Sequence, residues 1–427
     1  MRIPGEFSDV EVAGRDRRLD TIPLEHASIW AGGAPVFLSS FIKSRLFFDM
    51  QPAVSVIIPA YNAEKTIRHT LQSAASQTFK QLEIIVVDDG STDRTAEIVE
   101  AFATSDPRIS LLRQQNQGVA VARNLAIHAA KGEFIAPLDA DDVWHPTKLE
   151  KQHSHFQSRP SLGLVYAWYR VIDDDDWVIE CSPPTLARGD VHNWLLVENF
   201  IGNASSPLIR RSVLTATGGY DPSLRAAGAQ GAEDLQMQLN IAAICDYDVV
   251  PEYLIGYRRS LSSMSTRYVV MLTSHRIVLE TVRTRHPKLA SFLFRWSDGV
   301  ASAYYGSEAA RTSPGAAIAP LVHATRIDPA ALFHVFAKPS AQDLWRRLCR
   351  FVPRLLAVKQ RMVPTSPHSI CTSGRFFDAD PTFICQPFPP EWLRRRVQVA
   401  LKTPTPRQLR ESGPRSIDPS ALVEDGA

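Results

Sequence analysis

The sequence predicts an α/β fold with a mostly parallel central sheet, and three observations carry that expectation. Between residues 52 and 150, short apolar runs rich in β-branched residues alternate with helical patterns. That order calls for right-handed crossovers between parallel strands. Three of the runs end in polar clusters, Tyr61-Asn62, Asp88-Asp89 and Asp139-Ala140-Asp141. Ligands of open α/β sheets gather at the carboxyl ends of the strands, so the three clusters are expected to share one crevice.

The elements follow in order. Val54-Ser55-Val56-Ile57-Ile58-Pro59 is a short apolar run ended by proline, a buried strand feeding a loop. Ile67, Leu71, Ala74 and Ala75 mark one face of a helix. A second buried strand, residues 82–87, runs into Asp88-Asp89-Gly90-Ser91-Thr92-Asp93. There Thr92 or Asp93 suits the N-cap of a helix carrying Ala96, Ile98, Val99 and Phe102. Residues 109–112 read as a third strand, 120–130 as a third helix and 134–137 as a fourth strand. Asp173-Asp174-Asp175-Asp176 reads as a solvated hairpin turn between strands at 164–171 and 177–179. Gly218-Gly219 suits a turn with unusual backbone angles. Glu233-Asp234 then opens an amphipathic helix with Leu235, Leu239 and Ala242.

Leu138-Asp139-Ala140-Asp141-Asp142 sits where the fourth strand runs out. Side chains two apart on an extended segment point the same way, so Asp139 and Asp141 can face one point in space. Two convergent carboxylates at a strand end make a site for a hard divalent cation, Mg2+ or Mn2+, held by oxygens and shared with phosphates. Asp142 is expected to cap the turn or helix that follows. Asp88 and Ser91 are expected to fix the turn after the second strand.

Six ordered motifs resemble the family 2 glycosyltransferases and their nucleotide-sugar-binding GT-A fold. They are VSVIIPAYN at 54–62, SQTF at 76–79, VVDDGSTD at 86–93, GVAVARNLAI at 118–127, KGEFIAPLDADD at 131–142, and Trp144, Pro146 and Leu149. The resemblance spans residues 52–265. It implies that Pro59, Tyr61 and Asp89 contact the donor's nucleobase and ribose. It implies that Asp141, with Asp139, holds the metal on the donor diphosphate, Asp139 also reaching ribose. Asp234 is implied as general base, with Glu233 orienting it or binding acceptor, and Arg258 and Arg259 as positive charge near the diphosphate. The activity implied is inverting transfer of one sugar, most plausibly from a UDP-sugar, to a hydroxyl of a glycan or lipid-linked acceptor in cell-surface polysaccharide synthesis. The alternative is a catalytically silent nucleotide-sugar-binding or scaffolding protein. A nucleotidyltransferase would want a glycine- and lysine-rich phosphate loop after the first strand, which Pro59-Ala60-Tyr61-Asn62 does not offer.

Composition narrows the partners. The 427 residues carry a formal net charge of +2, so no global field points to nucleic acid. Five scattered cysteines without metal-ligand spacing suggest a reduced, cytoplasmic setting. No window holds the roughly 20 apolar residues of a spanning helix. The chain divides as an N-terminal extension (1–51), a catalytic domain (52–265), a helical extension (266–363) and a proline- and arginine-rich tail (364–427) read as largely disordered. Within the extension, helices are expected at 269–284, 290–310 and 316–337. A basic amphipathic helix at 343–362 could lie on an anionic membrane surface or pack on the catalytic domain. Residues 392–396 are the one clear helical patch of the tail.

Overall fold

A computed structural model describes residues 30–31, 34–35, 51–157, 159–260, 266–331, 375–382 and 391–411. The chain divides into two units, Met1–Met50 and Gln51–Ala427. In the first, β1 (Trp30–Ala31) pairs antiparallel with β2 (Ala34–Pro35). Everything below concerns the second.

Its first half is the alternation that the apolar runs require. β3 (Val54–Ala60), α1 (Ile67–Ala75), β4 (Leu82–Asp88), α2 (Thr95–Ser105), β5 (Ile109–Arg113), α3 (Val119–Ala129) and β6 (Phe134–Pro137) follow in sequence. Their four strands are parallel, ordered β5-β4-β3-β6. The sheet then turns mixed through β7 (Val143–Trp144), β8 (Leu162–Ile172), β9 (Val178–Cys181), β10 (Leu208–Arg210) and β11 (Asp246–Arg258). β10 is antiparallel to β6 and β8, β11 is parallel to β8, and β7 is antiparallel to β11. Nine strands make one sheet, with β9 hanging antiparallel on β8. The expected α/β class, with its parallel core, is what forms.

Both faces of this sheet are covered, which is why its strands are apolar throughout rather than alternating. Val54, Val56 and Ile58 point to one side with Leu71 of α1, Val99 of α2 and Leu149 of α4 (Lys148–Phe156). Ile57, Ile85 and Ile135 point to the other with Ala122 and Ala126 of α3. There α5 (His192–Val197), α6 (Arg211–Ala216), α7 (Ser223–Ala226) and α8 (Glu233–Ala242) add Leu195, Leu214, Leu224 and Leu235. Each buried aliphatic side chain contributes about 1.5–3 kcal/mol, so this double burial fixes the register that carries the polar clusters to one edge.

The helical extension packs within the same unit. α9 (Tyr268–Arg285) and α10 (Ser291–Thr312) place Val278, Leu279, Leu293 and Phe294 in the core that α8 shares, and α11 (Pro314–Ile327) packs Ala324 against Val300 and Ala303 of α10. The helix expected at 343–362 lies outside the described residues. Among the described residues, no helix is long and apolar enough to cross a membrane.

The tail read as largely disordered is built in part into the fold. Residues 375–382, with a 3-10 turn at Phe376–Asp378, lie on β8 and β11: Tyr253 N–H donates to Pro381 O at 2.7 Å, and Arg170 donates to the carbonyls of Ala379 and Asp380. α12 (Glu391–Lys402) and α13 (Pro406–Glu411) dock through buried Val397 and Ala400 and a two-pronged Arg396–Asp328 pair at 2.5 Å. Proline-rich composition suggested a segment without a core, but a few well-spaced apolar residues borrow the core of the preceding domain. Cysteine usage also departs from expectation: Cys245 is free, whereas Cys181 is disulfide-bonded.

Candidate active site

The loops after β3, β4 and β6 meet as the strand order requires. Asn62, in the left-handed region at φ 50°, accepts from Thr92 N–H at 2.8 Å, and its own N–H donates to Ser91 Oγ at 3.0 Å. Asp88 Oδ1 accepts from Ser91 N–H at 3.0 Å, the turn-fixing role expected of that pair. Asp93 accepts from Thr95 N–H and Oγ1, at 3.0 and 2.5 Å, and from Glu64 N–H at 3.0 Å. It thus holds the first backbone N–H of α2 and ties in the first loop, while the N-cap position itself falls on Arg94 rather than on Thr92 or Asp93. Gly90 sits at φ 77° with Asn116 N only 3.0 Å from where a Cβ would stand.

Of the residues expected at the nucleobase, Tyr61 alone is open, its side chain 52% exposed at the loop tip. Pro59 is buried within β3, in register with Val87. Asp89 is buried with both oxygens occupied: Oδ1 accepts from Gln114 Nε2 at 2.6 Å and Gln117 N–H at 2.8 Å, and Oδ2 from Gly118 N–H at 2.8 Å. It anchors the loop leading into α3.

The β6 loop carries three aspartates with three different surroundings. Asp142 is fully buried; Ser205 Oγ donates to Oδ2 at 2.6 Å and Arg258 N–H to Oδ1 at 2.9 Å. It is the loop's anchor, a tertiary partner rather than a helix cap, and burial followed by the charge of Asp141 drives its pKa far up. Asp139 accepts from Arg123 Nη2 at 2.6 Å, and its N–H donates to Ser205 Oγ at 3.0 Å. Asp141 is only half-buried, and no side chain among the described residues donates to it. Desolvation and then the neighbouring Asp139 charge push it up to about 6. Two carboxylates that repel each other, one of them without a donor, form an oxygen set that a divalent cation completes. No group of three or more His, Cys, Asp or Glu side chains able to hold a metal occurs among the described residues. An ion there would take its remaining ligands from phosphate or water, as Mg2+ does.

Glu233 and Asp234 arrive on the first turn of α8. Glu233 accepts from Arg123 Nη1 at 2.8 Å and from Gly231 N–H at 3.1 Å, so both of its oxygens are engaged. Asp234 Oδ1 accepts from Leu235 N–H at 2.7 Å, and Oδ2 has no donor among the described residues. Burial and the adjacent Glu233 charge raise Asp234 to about 7. A carboxylate with a free oxygen and a pKa near neutrality is suited to accept a proton.

Arg123 joins the two halves of the site and carried no role in the sequence reading beyond its motif. Its guanidinium bridges Asp139 and Glu233 and lies 5.0 Å from the centre of the buried Tyr220 ring. The signal was there: Arg123 lies among Ala120, Ala122 and Ala126, the buried stripe of α3, and a buried arginine needs carboxylate partners.

Arg258, expected at the diphosphate, is spent elsewhere. Its side chain is 2% exposed, and it pairs with Asp176 and donates to the carbonyls of Asp173 and of Asp141, the last at 2.8 Å from Nε. The hairpin of four aspartates is therefore not wholly solvated: it exists in part to receive this arginine. Arg259 faces Glu180 at 3.5 Å.

Comparison with known proteins agrees with the motifs. Residues 55–216 match the sequence model of the glycosyl transferase family 2. Over 140 residues the chain is 42% identical to the UDP-Glc:alpha-D-GlcNAc-diphosphoundecaprenol beta-1,3-glucosyltransferase WfaP of Escherichia coli, covering 32% of this chain and 54% of that one. Over 122 residues it is 39% identical to a chondroitin synthase of Escherichia coli, covering 29% of this chain and 18% of the other. The chain thus spans about half the length of the first relative and under a fifth of the second. Among solved structures, a mannosyltransferase from Pyrobaculum calidifontis in complex with GDP-Man and Mn2+ superposes with a TM-score of 0.48 at 20% identity, over 75% of this chain and 90% of that one. Over residues 55–216 the chain is thus similar to glycosyl transferase family 2.

Proposed function

We propose that this chain is an inverting glycosyltransferase that moves one sugar from a nucleoside diphosphate sugar to a hydroxyl of a glycan or lipid-linked acceptor. The observation that supports the reading is the Arg123 bridge, which links Asp139, two residues from Asp141, to Glu233, the neighbour of Asp234. One pair suits a charged leaving group and the other suits an acceptor proton. The relative named for a UDP-Glc donor and a diphosphoundecaprenol-linked acceptor supports uracil as the base and a lipid-linked glycan as the acceptor class.

Chemistry follows from the charges. An acceptor hydroxyl is too weak an acid to ionise beforehand, so Asp234 Oδ2 takes its proton as the new C–O bond forms. Attack comes from the face opposite the departing diphosphate, breaks the anomeric C–O bond and inverts that centre. Arg123 holds Asp139 and Glu233 in place through its two hydrogen bonds, so neither drifts into the space the sugar needs. Asp141, with Asp139, would hold Mg2+ or Mn2+, and a bound ion supplies Lewis-acid stabilisation of the leaving diphosphate. Tyr61 offers an exposed ring for the base to stack on.

The test is calorimetric titration of UDP and of GDP into the full chain, with and without Mn2+, repeated on Asp141→Ala. Metal-dependent UDP binding that the substitution removes supports the reading. No nucleotide binding under any condition would sink it and bring the silent scaffold forward.

A further inference from the structure

The 375–382 segment lies far beyond the family-matched residues, yet a continuous set of contacts links it to the β6 loop. Arg375 forms a backbone bridge with Trp177, and Phe376 N–H donates to Asp176 O at 2.9 Å. Phe376 is buried, and its ring seats on Gly256 of β11: a Cβ on that glycine would stand 3.2 Å from Phe376 Cγ and 2.7 Å from Val143 Cγ2. A side chain at 256 would press hardest on Val143 and would require the ring to shift as well. The segment therefore grips the hairpin at Asp176, a non-glycine residue in the left-handed region at φ 67°. Asp176 in turn holds the buried Arg258, whose Nε donates to Asp141 O at 2.8 Å and whose N–H donates to Asp142 Oδ1 at 2.9 Å.

We propose that Phe376 is a positioning residue for the Asp141 loop, acting through the Asp176–Arg258 clamp from a segment outside the family-matched region. Arg258 is the link in that path that touches the loop, and the Asp173–Asp176 turn, closed by its own hydrogen bonds from Asp175 and Trp177 N–H to Asp173 Oδ1, orients its guanidinium. Asp174 and Asp175 are exposed or half-exposed, and the hairpin buries no apolar side chain between Asp173 and Asp176. Phe376 supplies the missing buried anchor. The loop's two fixed points then differ in kind: Ser205 belongs to the family-matched core, whereas Arg258 is set by the C-terminal segment. This inference rests on the reading of Asp141 as the donor-side carboxylate.

The experiment is amide hydrogen exchange on the ligand-free full chain, comparing wild type with Phe376→Ala, Phe376→Leu and Asp176→Asn. Metal-dependent UDP titration is run on the same samples. Phe376→Ala is expected to speed exchange in peptides 173–178 and 138–144 by about tenfold, with β3 and β4 unchanged, and to weaken UDP binding in Mn2+ by a similar factor. Phe376→Leu restores most of both. Asp176→Asn reproduces the change at 138–144 while leaving the Phe376 seat protected. Should Phe376→Ala fail to fold, a smaller change confined to the same two peptides in Phe376→Leu carries the test. Unchanged exchange at 138–144 in Asp176→Asn, or in a folded Phe376 variant whose 173–178 peptide has opened, overturns the proposal. A wild type that binds no UDP would strike the function proposed above, while the exchange data would still decide whether Phe376 sets the loop.

Discussion

The carboxylates after β4 and those after β6 and at the start of α8 look alike in sequence and behave as opposites in the fold. Asp89 and Asp93 have every oxygen occupied by donors from neighbouring loops. Asp93 is held below the usual carboxylate range because the hydrogen bonds from Thr95 and Glu64 outweigh its burial. Asp141 and Asp234 each keep an oxygen without a described side-chain donor, and burial pushes them up to about 6 and about 7. The first group spends its charge on folding the loops. The second holds charge that the fold leaves unpaired, at a cost in stability that is tolerated where function needs it.

The sharpest way to break this contrast is Asp234→Asn. Removing the base is expected to lower kcat by roughly a thousandfold, within the range for general acid–base groups, while UDP binding in Mn2+ stays near wild type. In the wild type, kcat/KM should rise with pH through about 7, because only the ionised carboxylate can take the acceptor's proton. The same shift has a stability consequence with the opposite sign. A carboxyl raised in the folded state contributes full stability below its unfolded pKa and loses it as pH rises through about 7. Asp234→Asn should therefore melt a few degrees higher than wild type at pH 8, and at the same temperature near pH 3. A lower melting point at pH 8 would show that the ionised Asp234 is a structural partner after all.

Next in size is Asp141→Ala, for which a loss of roughly 100-fold in metal-dependent nucleotide affinity is expected, the scale of charged groups buried in a binding site. Nucleotide binding without metal should hardly change. Arg123→Lys comes third. Lysine keeps the charge but not the two-ended geometry, so one of Asp139 and Glu233 loses a charged hydrogen bond worth about 2 kcal/mol. Denaturant unfolding measures that loss directly. An unchanged midpoint would mean the bridge is incidental.

Much of this architecture was legible in the chain itself. The β-branched runs at Val54 and Leu82 could be read as strands because burial on both faces leaves an uninterrupted apolar signature, whereas the run at Ile109 is a partly exposed edge strand. The site carboxylates were legible because Asp139 and Asp141 sit two and four residues beyond the end of β6, and Glu233 and Asp234 open α8. What escaped reading depends on contacts distant in sequence. Arg258 looked like a free cation because Asp176, Asp173 and Asp141 are its partners only in space. Phe376 looked like part of a featureless tail because its seat is a glycine on β11. Arg123 was hidden for the same reason, although a lone charge on a buried helix face is a signal that periodicity can supply.

The smallest predicted effect sharpens the contrast most, because it asks whether a filled carboxylate can still take a ligand. Asp89 is the residue whose position would let it read the donor's base, yet its oxygens are all occupied. Two of its three donors are backbone N–H groups of Gln117 and Gly118 and cannot leave without unmaking the loop. The third is the Gln114 side-chain amide at 2.6 Å, which can swing away and give Oδ1 to an N–H of the base. If that exchange accompanies binding, the amide competes with the nucleotide, and Gln114→Ala should tighten UDP by a few-fold, one net hydrogen bond being worth about 1 kcal/mol. The melting temperature should hardly move, since the two backbone donors remain. If Asp89 is a loop anchor and nothing more, Gln114→Ala would instead lower the melting temperature and leave UDP affinity untouched. Titration and a thermal melt on that one variant separate the two roles.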